Sequence, residues 1–410
     1  MKKLKISALI IALMAMVVAG CSQEEKEAPK VPAVEEIVPG VNDVDTLNQG
    51  AEPTEEPEPE VEEEKDPEGM YRSELTNEWI DETLKNQRPI AVMVDNERTA
   101  LDHFGVNSAD IVYEMMNSTE NDRISRLMVV MKDWKNVEQL GSIRSTRPTN
   151  FMIAAEYNAI LIHDGGPFYN DEYYKKSYVN NLSGGFARFI NGKNLEFTEY
   201  VTAEEYTNTK GKKYDGLNKR IEDAKYSTEY NEFYPGTHFE FAEEENDLSS
   251  STNAKDATYV KMPFYHNSSE LKYNKDTNLY EYYEYGKPHI DALTGEVTAF
   301  KNAIVYGVSH TKLDANGYLI YNVIGKGDHG YFLTNGKAIP ISWIKPEETA
   351  ITEFYIPETG EKIKLNTGKT YIAIIPDDTW NEVVVSDGST PSSDANTNTT
   401  AANTDTTVTN

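Results

Sequence analysis

A mixed-sheet α/β or α+β domain followed by a smaller, mostly antiparallel β domain is the fold class that this 410-residue chain predicts. Short continuous apolar runs interleave with a helical stretch up to about residue 163, the mark of strands buried on both faces. After residue 257 turn dipeptides recur at short intervals, the mark of hairpins. All 43 aromatic residues lie between Tyr71 and residue 385, so the two ends contribute nothing to a core.

The first twenty residues read as a signal peptide. Lys2, Lys3 and Lys5 precede an apolar run, and Ala19 and Gly20 supply small residues before Cys21. Cys21 is the single cysteine of the chain. An unpaired thiol at a mature secreted terminus has no structural use. Val18-Ala19-Gly20-Cys21 resembles the lipobox of bacterial lipoproteins, which implies cleavage before Cys21 and diacylation of its sulfur. With that sulfur committed to lipid, the folded part has no disulfide, no thiolate ligand and no cysteine nucleophile.

Residues 22–70 carry 17 acidic side chains against 3 basic ones, with seven prolines. Such a segment cannot bury enough apolar surface to offset the entropy of ordering, so 21–71 is expected to be a lipidated, disordered tether. Residues 71–410 keep a net charge of −18. That balance disfavours nucleic acid and anionic headgroups as partners. Residues 386–410 are nearly all Ser, Thr, Asn, Asp and Ala, and are expected to be a disordered tail.

Residues 72–255 are expected to form the α/β-type domain. The runs 89–95, 110–115, 127–132 and 159–163 read as buried strands, and a helix starts at Pro148, a residue tolerated in the first turn. A second helical stretch covers 214–225. Residues 256–385 are expected to form the β domain. Asn316-Gly317 and Asn335-Gly336 are its strongest hairpin signals, because both central positions of a type I′ turn require positive φ.

Four ordered segments carry a family resemblance: 88–96 (RPIAVMVDN), 109–114 (ADIVYE), 141–148 (GSIRSTRP) and 159–166 (AILIHDGG), with 288–291 and 336–345 continuing it. Together they resemble the YerB-like lipoproteins, a Gram-positive family whose domain has no known function. The family's usual Ala-Gly-Gly-Ser reads Asp164-Gly165-Gly166-Pro167 here. A histidine-bearing family segment is replaced around Phe197 to Tyr206.

Candidate chemistry lies at strand ends. Arg144 and Arg147 bracket Ser145 and Thr146 ahead of the helix, where guanidinium groups and free helix N–H groups would attract a phosphate or carboxylate. Gly165 and Gly166 would let a ligand approach the backbone beside Asp164. Internal pairing of the arginines with Asp95, Asp110 or Glu114 is the competing arrangement. Asp95, Glu114, His163 and Asp164 are the candidate catalytic groups, with His163 alternatively a satisfied core residue. His289 and Asp291 share a strand face, but two ligands do not make a metal site, and no metal or cofactor is expected. Trp343 and Lys345 form either a sugar-stacking platform or packed core. Phosphate loops, the His-Glu-x-x-His pair, the Gly-x-Ser-x-Gly turn and the EF-hand loop are all missing from the sequence.

The expected protein is a lipid-anchored, extracytoplasmic lipoprotein of the cell envelope. It binds a cell-wall component or a cell-wall-synthesis partner. The alternative is a carboxylate-dependent hydrolase acting on peptidoglycan or another wall polymer. Clustering of the four candidate groups in one cleft would favour the hydrolase, and their dispersal into separate pairs beside an exposed aromatic patch would favour the binder.

Overall fold

The computed structural model describes residues 66–389. The signal peptide, Cys21, nearly all of the tether and the tail beyond residue 389 lie outside the described residues. The described chain falls within one compact unit.

Its frame is a ten-stranded mixed sheet. The strands that build this sheet or the smaller one beside it are, in chain order, β1 (Ile90–Asp95), β2 (Ile111–Met116), β3 (Ser125–Met131), β4 (Ile160–His163), β5 (Asn181–Ser183), β6 (Lys255–Asp256), β7 (Tyr259–Lys261), β8 (Glu270–Asn274), β9 (Leu279–Glu284), β10 (Lys287–Pro288), β11 (Ala299–Phe300), β12 (Asn302–Val308), β13 (Gly330–Thr334), β14 (Lys337–Pro340), β15 (Thr370–Pro376) and β16 (Val384–Ser386). The large sheet runs β6-β14-β13-β12-β15-β2-β3-β1-β4-β5, and the smaller one β10-β9-β8-β7-β16 with β11 also on β9. Every residue of β1, β2, β3 and β4 is buried, which is why their sequences read as continuous apolar runs without alternation.

One face of the large sheet carries Val92, Val112, Leu127, Val305 and Tyr371 against Val260, Leu271, Tyr280, Tyr282 and Phe300 of the smaller sheet. The opposite face carries Met93, Tyr113, Met128, Ile304 and Ile372 against helix α1 (Pro148–Glu156) and the small hairpins that contain Tyr321, Trp343 and Phe354. The single-residue offset between these sets is the period of two of a strand. Pro148 occupies the first turn of α1, as expected, and helix α2 (Leu217–Asp223) falls inside the stretch expected to be helical. Asn335 (φ 49°) and Gly336 (φ 71°) join β13 to β14 as a two-residue turn with both central residues at positive φ.

The chain is sheet-rich with few helices, consistent with an α+β fold, but the two segments expected to be separate domains share one sheet. β15 lies between β12 and β2 and is parallel to both, so the C-terminal segment is not simply antiparallel. The isoleucine-rich run at 371–375 suits a central strand buried on both sides better than a hairpin arm. Met70–Arg72 pairs with Trp79–Asp81, so the folded part begins slightly before the expected boundary at residue 72.

Trp343 is buried, with its indole N–H donating to the Gly307 carbonyl at 3.1 Å, and Lys345 is wholly buried against Glu156. They are packed core, and the sugar-stacking platform is absent at this position. Among the described residues no helix is long and apolar enough to cross a membrane.

Candidate functional site

β1 ends at Asp95, which lies directly opposite Arg126 in the antiparallel register with β3. Asp95 is buried, and two guanidinium groups converge on it: Arg144 Nε at 2.9 Å and Arg126 at 3.7 Å. Arg144 reaches outward as well, to Glu196 at 3.0 Å. Arg126 donates to the Ser145 carbonyl at 2.9 Å. Arg147, the residue immediately before α1, donates to the carbonyls of Asn117 (3.0 Å) and Thr146 (2.9 Å). The Asn150 side chain caps the helix by accepting from the Arg147 N–H at 2.8 Å.

The charge in this cluster is unbalanced. Arg147 is only 7% exposed, and among the described residues no carboxylate lies within ion-pair distance of it. Burial, and then the neighbouring Arg126 charge, push its pKa down to about 9, which leaves it cationic at neutral pH. Its guanidinium lies 4.7 Å from the Tyr318 ring, Tyr169 meets Tyr318 edge-on at 6.5 Å, and Phe168 leans on Tyr169 at 4.0 Å. Phe168 is 69% exposed, so an aromatic face opens to solvent beside a buried cation whose nearest counter-charge, Asp314 on the Tyr169 hydroxyl at 3.3 Å, acts only from beyond ion-pair distance.

The glycine loop borders this cluster. The Gly165 carbonyl accepts from Thr146 N–H at 3.2 Å, and Gly165, at φ 73°, is exposed with open space around it. Gly166 is a packing requirement, since a Cβ there would collide with the Asn170 side chain. Asp164 turns away from the two expected arginines and pairs with Arg188 at 3.3 Å. Arg188 also holds the buried Glu199 at 2.5 Å. Burial, and next the hydrogen bond with Asp164, raise Glu199 to about 7.

The four candidate catalytic groups do not share a cleft. Asp95 belongs to the arginine cluster and Asp164 to the Arg188 pair. His163 donates from Nδ1 to the Gly165 carbonyl (2.8 Å) and accepts at Nε2 from Asn181 (3.2 Å), so both ring nitrogens are spent. Burial lowers its pKa to about 4, which keeps the ring neutral. Glu114 faces the smaller sheet, where it accepts from Ser125 (2.5 Å), Ser269 (2.7 Å), Tyr282 (3.0 Å) and Tyr371 (2.5 Å). Burial raises its pKa against those donors.

Sequence reasoning did not find Arg126, Tyr169, Tyr318 or Phe168. Arg126 was visible only through strand register, and the three aromatics only through the docking of a hairpin from residues 310–321 onto the start of α1. Two further buried histidines, His103 and His289, meet beside Glu284, although no metal was expected there. A surface cleft of about 330 Å³ lined by Asp328, His329 and Asp377 has the buried Trp343 in its wall and holds none of the expected catalytic or anion-binding residues.

Comparison with known proteins places these features in a family. Residues 75–227 match the N-terminal domain, and residues 260–372 the C-terminal domain, of the family described as "Protein of unknown function (DUF3048)". "Putative lipoprotein YerB" of Bacillus subtilis (strain 168) is 22% identical over 321 residues, covering 75% of this chain and 86% of the relative. The crystal structure of the YerB protein from Bacillus subtilis superposes with a TM-score of 0.62 at 20% identity, over 77% of this chain and 99% of that one. The fold is therefore shared with that structure, and the chain belongs to the DUF3048 family.

Proposed function

We propose that the protein is a lipid-anchored, extracytoplasmic binding protein for an anionic cell-wall component, held at the membrane by diacylated Cys21 and contacting its ligand at Arg147 and the Phe168–Tyr169–Tyr318 face. The observation that carries this reading is that, among the described residues, no carboxylate is in ion-pair contact with the buried Arg147. A buried cation held only by neutral acceptors is costly, and a bound phosphate or carboxylate would supply a close counter-charge. The exposed Phe168 ring adds a surface suited to the apolar face of a sugar. Dispersal of Asp95, Glu114, His163 and Asp164 into separate, internally satisfied networks weighs against a hydrolytic acid and base pair.

The full chain carrying Cys21→Ser is expected to leave the membrane fraction, and it then supplies soluble protein for sedimentation with purified peptidoglycan, with and without its anionic polymers. Arg147→Lys, which keeps the charge and loses the planar fork, and Phe168→Ala should each weaken retention by roughly tenfold, equivalent to about 1.4 kcal/mol. Retention equal to wild type in both variants would sink the binding site. Soluble fragments released from the polymer would revive the hydrolase.

A further inference from the structure

His103 and His289 meet inside the layer between the two sheets in an arrangement that two neutral imidazoles do not satisfy by themselves. His103 comes from the loop after β1, Glu284 from the end of β9, and His289 follows β10. The ligating atoms of the three lie within 4.8 Å of one another, and all three residues are buried.

The hydrogen-bond partners fix both tautomers. His103 Nε2 lies 2.6 Å from the Asp95 carbonyl, which can only accept, so that nitrogen carries the hydrogen and Nδ1 keeps a lone pair. On His289, Nδ1 lies 2.8 Å from Thr298 Oγ1. The Thr298 hydroxyl spends its hydrogen on Asn107 Oδ1 at 2.6 Å, and the Asn107 amide is oriented by donating its Nδ2 to the Glu296 carbonyl at 3.3 Å. Thr298 Oγ1 therefore accepts from His289 Nδ1–H, and His289 Nε2 keeps a lone pair too. These two lone pairs face each other at 2.8 Å. Something positive belongs between them.

Glu284 supplies the second, independent observation. It is 2% exposed, and among the described residues neither carboxylate oxygen has a hydrogen-bond partner within 3.5 Å, although the Asn96 and Asn267 side chains are near enough to act on it. One oxygen stands 3.8 Å from His289 Nε2, too far for a hydrogen bond and compatible with a shared ion. Glu114 lies close enough to act electrostatically on Glu284, and among the described residues no cation pairs with Glu114.

We infer that His103 Nδ1, His289 Nε2 and a Glu284 oxygen are three ligands of a buried site for a first-row divalent transition-metal cation that ties the N-terminal family segment to the C-terminal one. Imidazole and carboxylate donors suit Zn²⁺, Fe²⁺ and Co²⁺. At metal–nitrogen bonds of about 2.1 Å, the 2.8 Å separation sets a nitrogen–metal–nitrogen angle of roughly 85°, close to the right angle of five- or six-coordinate geometry. The far ring nitrogens already donate to a carbonyl and a hydroxyl, the outer contacts that orient metal-bound histidines. Burial of all three ligands makes it a structural centre, filled as the chain folds.

The test uses the full chain with Cys21→Ser, purified from cells grown with added Zn²⁺ or Co²⁺. Elemental analysis should find about one metal ion per folded chain, and the Co²⁺ form should show a d–d absorption band. Glu284→Gln and His289→Gln should lower Zn²⁺ affinity, read in competition with a chromophoric chelator, by at least about tenfold. Folded wild-type chain with metal at the level of His289→Gln would overturn the site, as would a low-field proton resonance showing His103 and His289 sharing a proton in metal-free, native protein. The wild-type stoichiometry stands whether or not either variant folds.

Discussion

Glu114 shows how much a single residue's reading depends on what surrounds it. In the sequence it is an acid at the end of an apolar run, a fair candidate for catalysis. In the fold its two oxygens accept from Ser125, Ser269, Tyr282 and Tyr371, so every group around it is a donor. Glu114→Gln replaces one acceptor with an N–H₂ that faces those donors. It should lower stability by about 1–3 kcal/mol in denaturant unfolding while wall retention per folded molecule stays unchanged. Loss of retention without loss of stability would return Glu114 to the functional site. His163 teaches the same lesson more simply, because one ring nitrogen is occupied by the loop it was expected to serve and the other by Asn181 of β5.

At the scale of elements, α1 is fastened by charge at its C-terminal end. Its last residue, Glu156, is buried and meets Lys345 at 2.9 Å, His238 at 2.7 Å and the Thr352 N–H at 2.9 Å. Burial alone would raise this carboxyl, but Lys345 and His238 outweigh it and bring the pKa to about 2. A depressed folded-state pKa stabilises fully above the unfolded value of 4.5 and loses that contribution as pH falls toward 2. Wild type should therefore lose stability across that window. Lys345→Met, which leaves a buried carboxylate without its main partner, should cost about 3–5 kcal/mol at neutral pH and flatten the acid loss. Melting curves of both proteins between pH 2 and 7 check this, and an acid profile identical in the two would refute the pairing as the cause. Arg144 and Arg147, at the other end of α1, were legible in the sequence because they flank good capping residues. Arg126 was not, since only its position opposite Asp95 in the sheet brings it there.

At the scale of the molecule, one sheet unites the two family segments. β2 of the first segment has β15 of the second as a parallel neighbour along Ile111–Met115, and β15 in turn holds β12. Removing the C-terminal segment would leave β2 as a long, flat apolar edge, a template for aggregation. Calorimetry of the whole chain should show a single transition, and residues 66–255 expressed alone should be insoluble or unfolded. Two separable transitions, or a soluble native-like fragment, would show that each segment folds by itself.

The sequence by itself determined the strands that are buried on both faces, the start of α1 at Pro148, the Asn335-Gly336 turn and the family. Each of these rests on local chemistry: continuous apolar side chains, the fixed φ of proline, and residues that accept positive φ. Tertiary structure alone decided that 371–375 is a central strand and that Trp343 and Lys345 are core. It also brought Arg126 to Asp95, Tyr318 to Arg147, and His103 across to Glu284 and His289. Those contacts join residues far apart in the chain, and neither composition nor periodicity encodes which distant strand a given strand will choose. Register and layer packing make that choice, because only one pairing buries both faces of β2 and β15 at once.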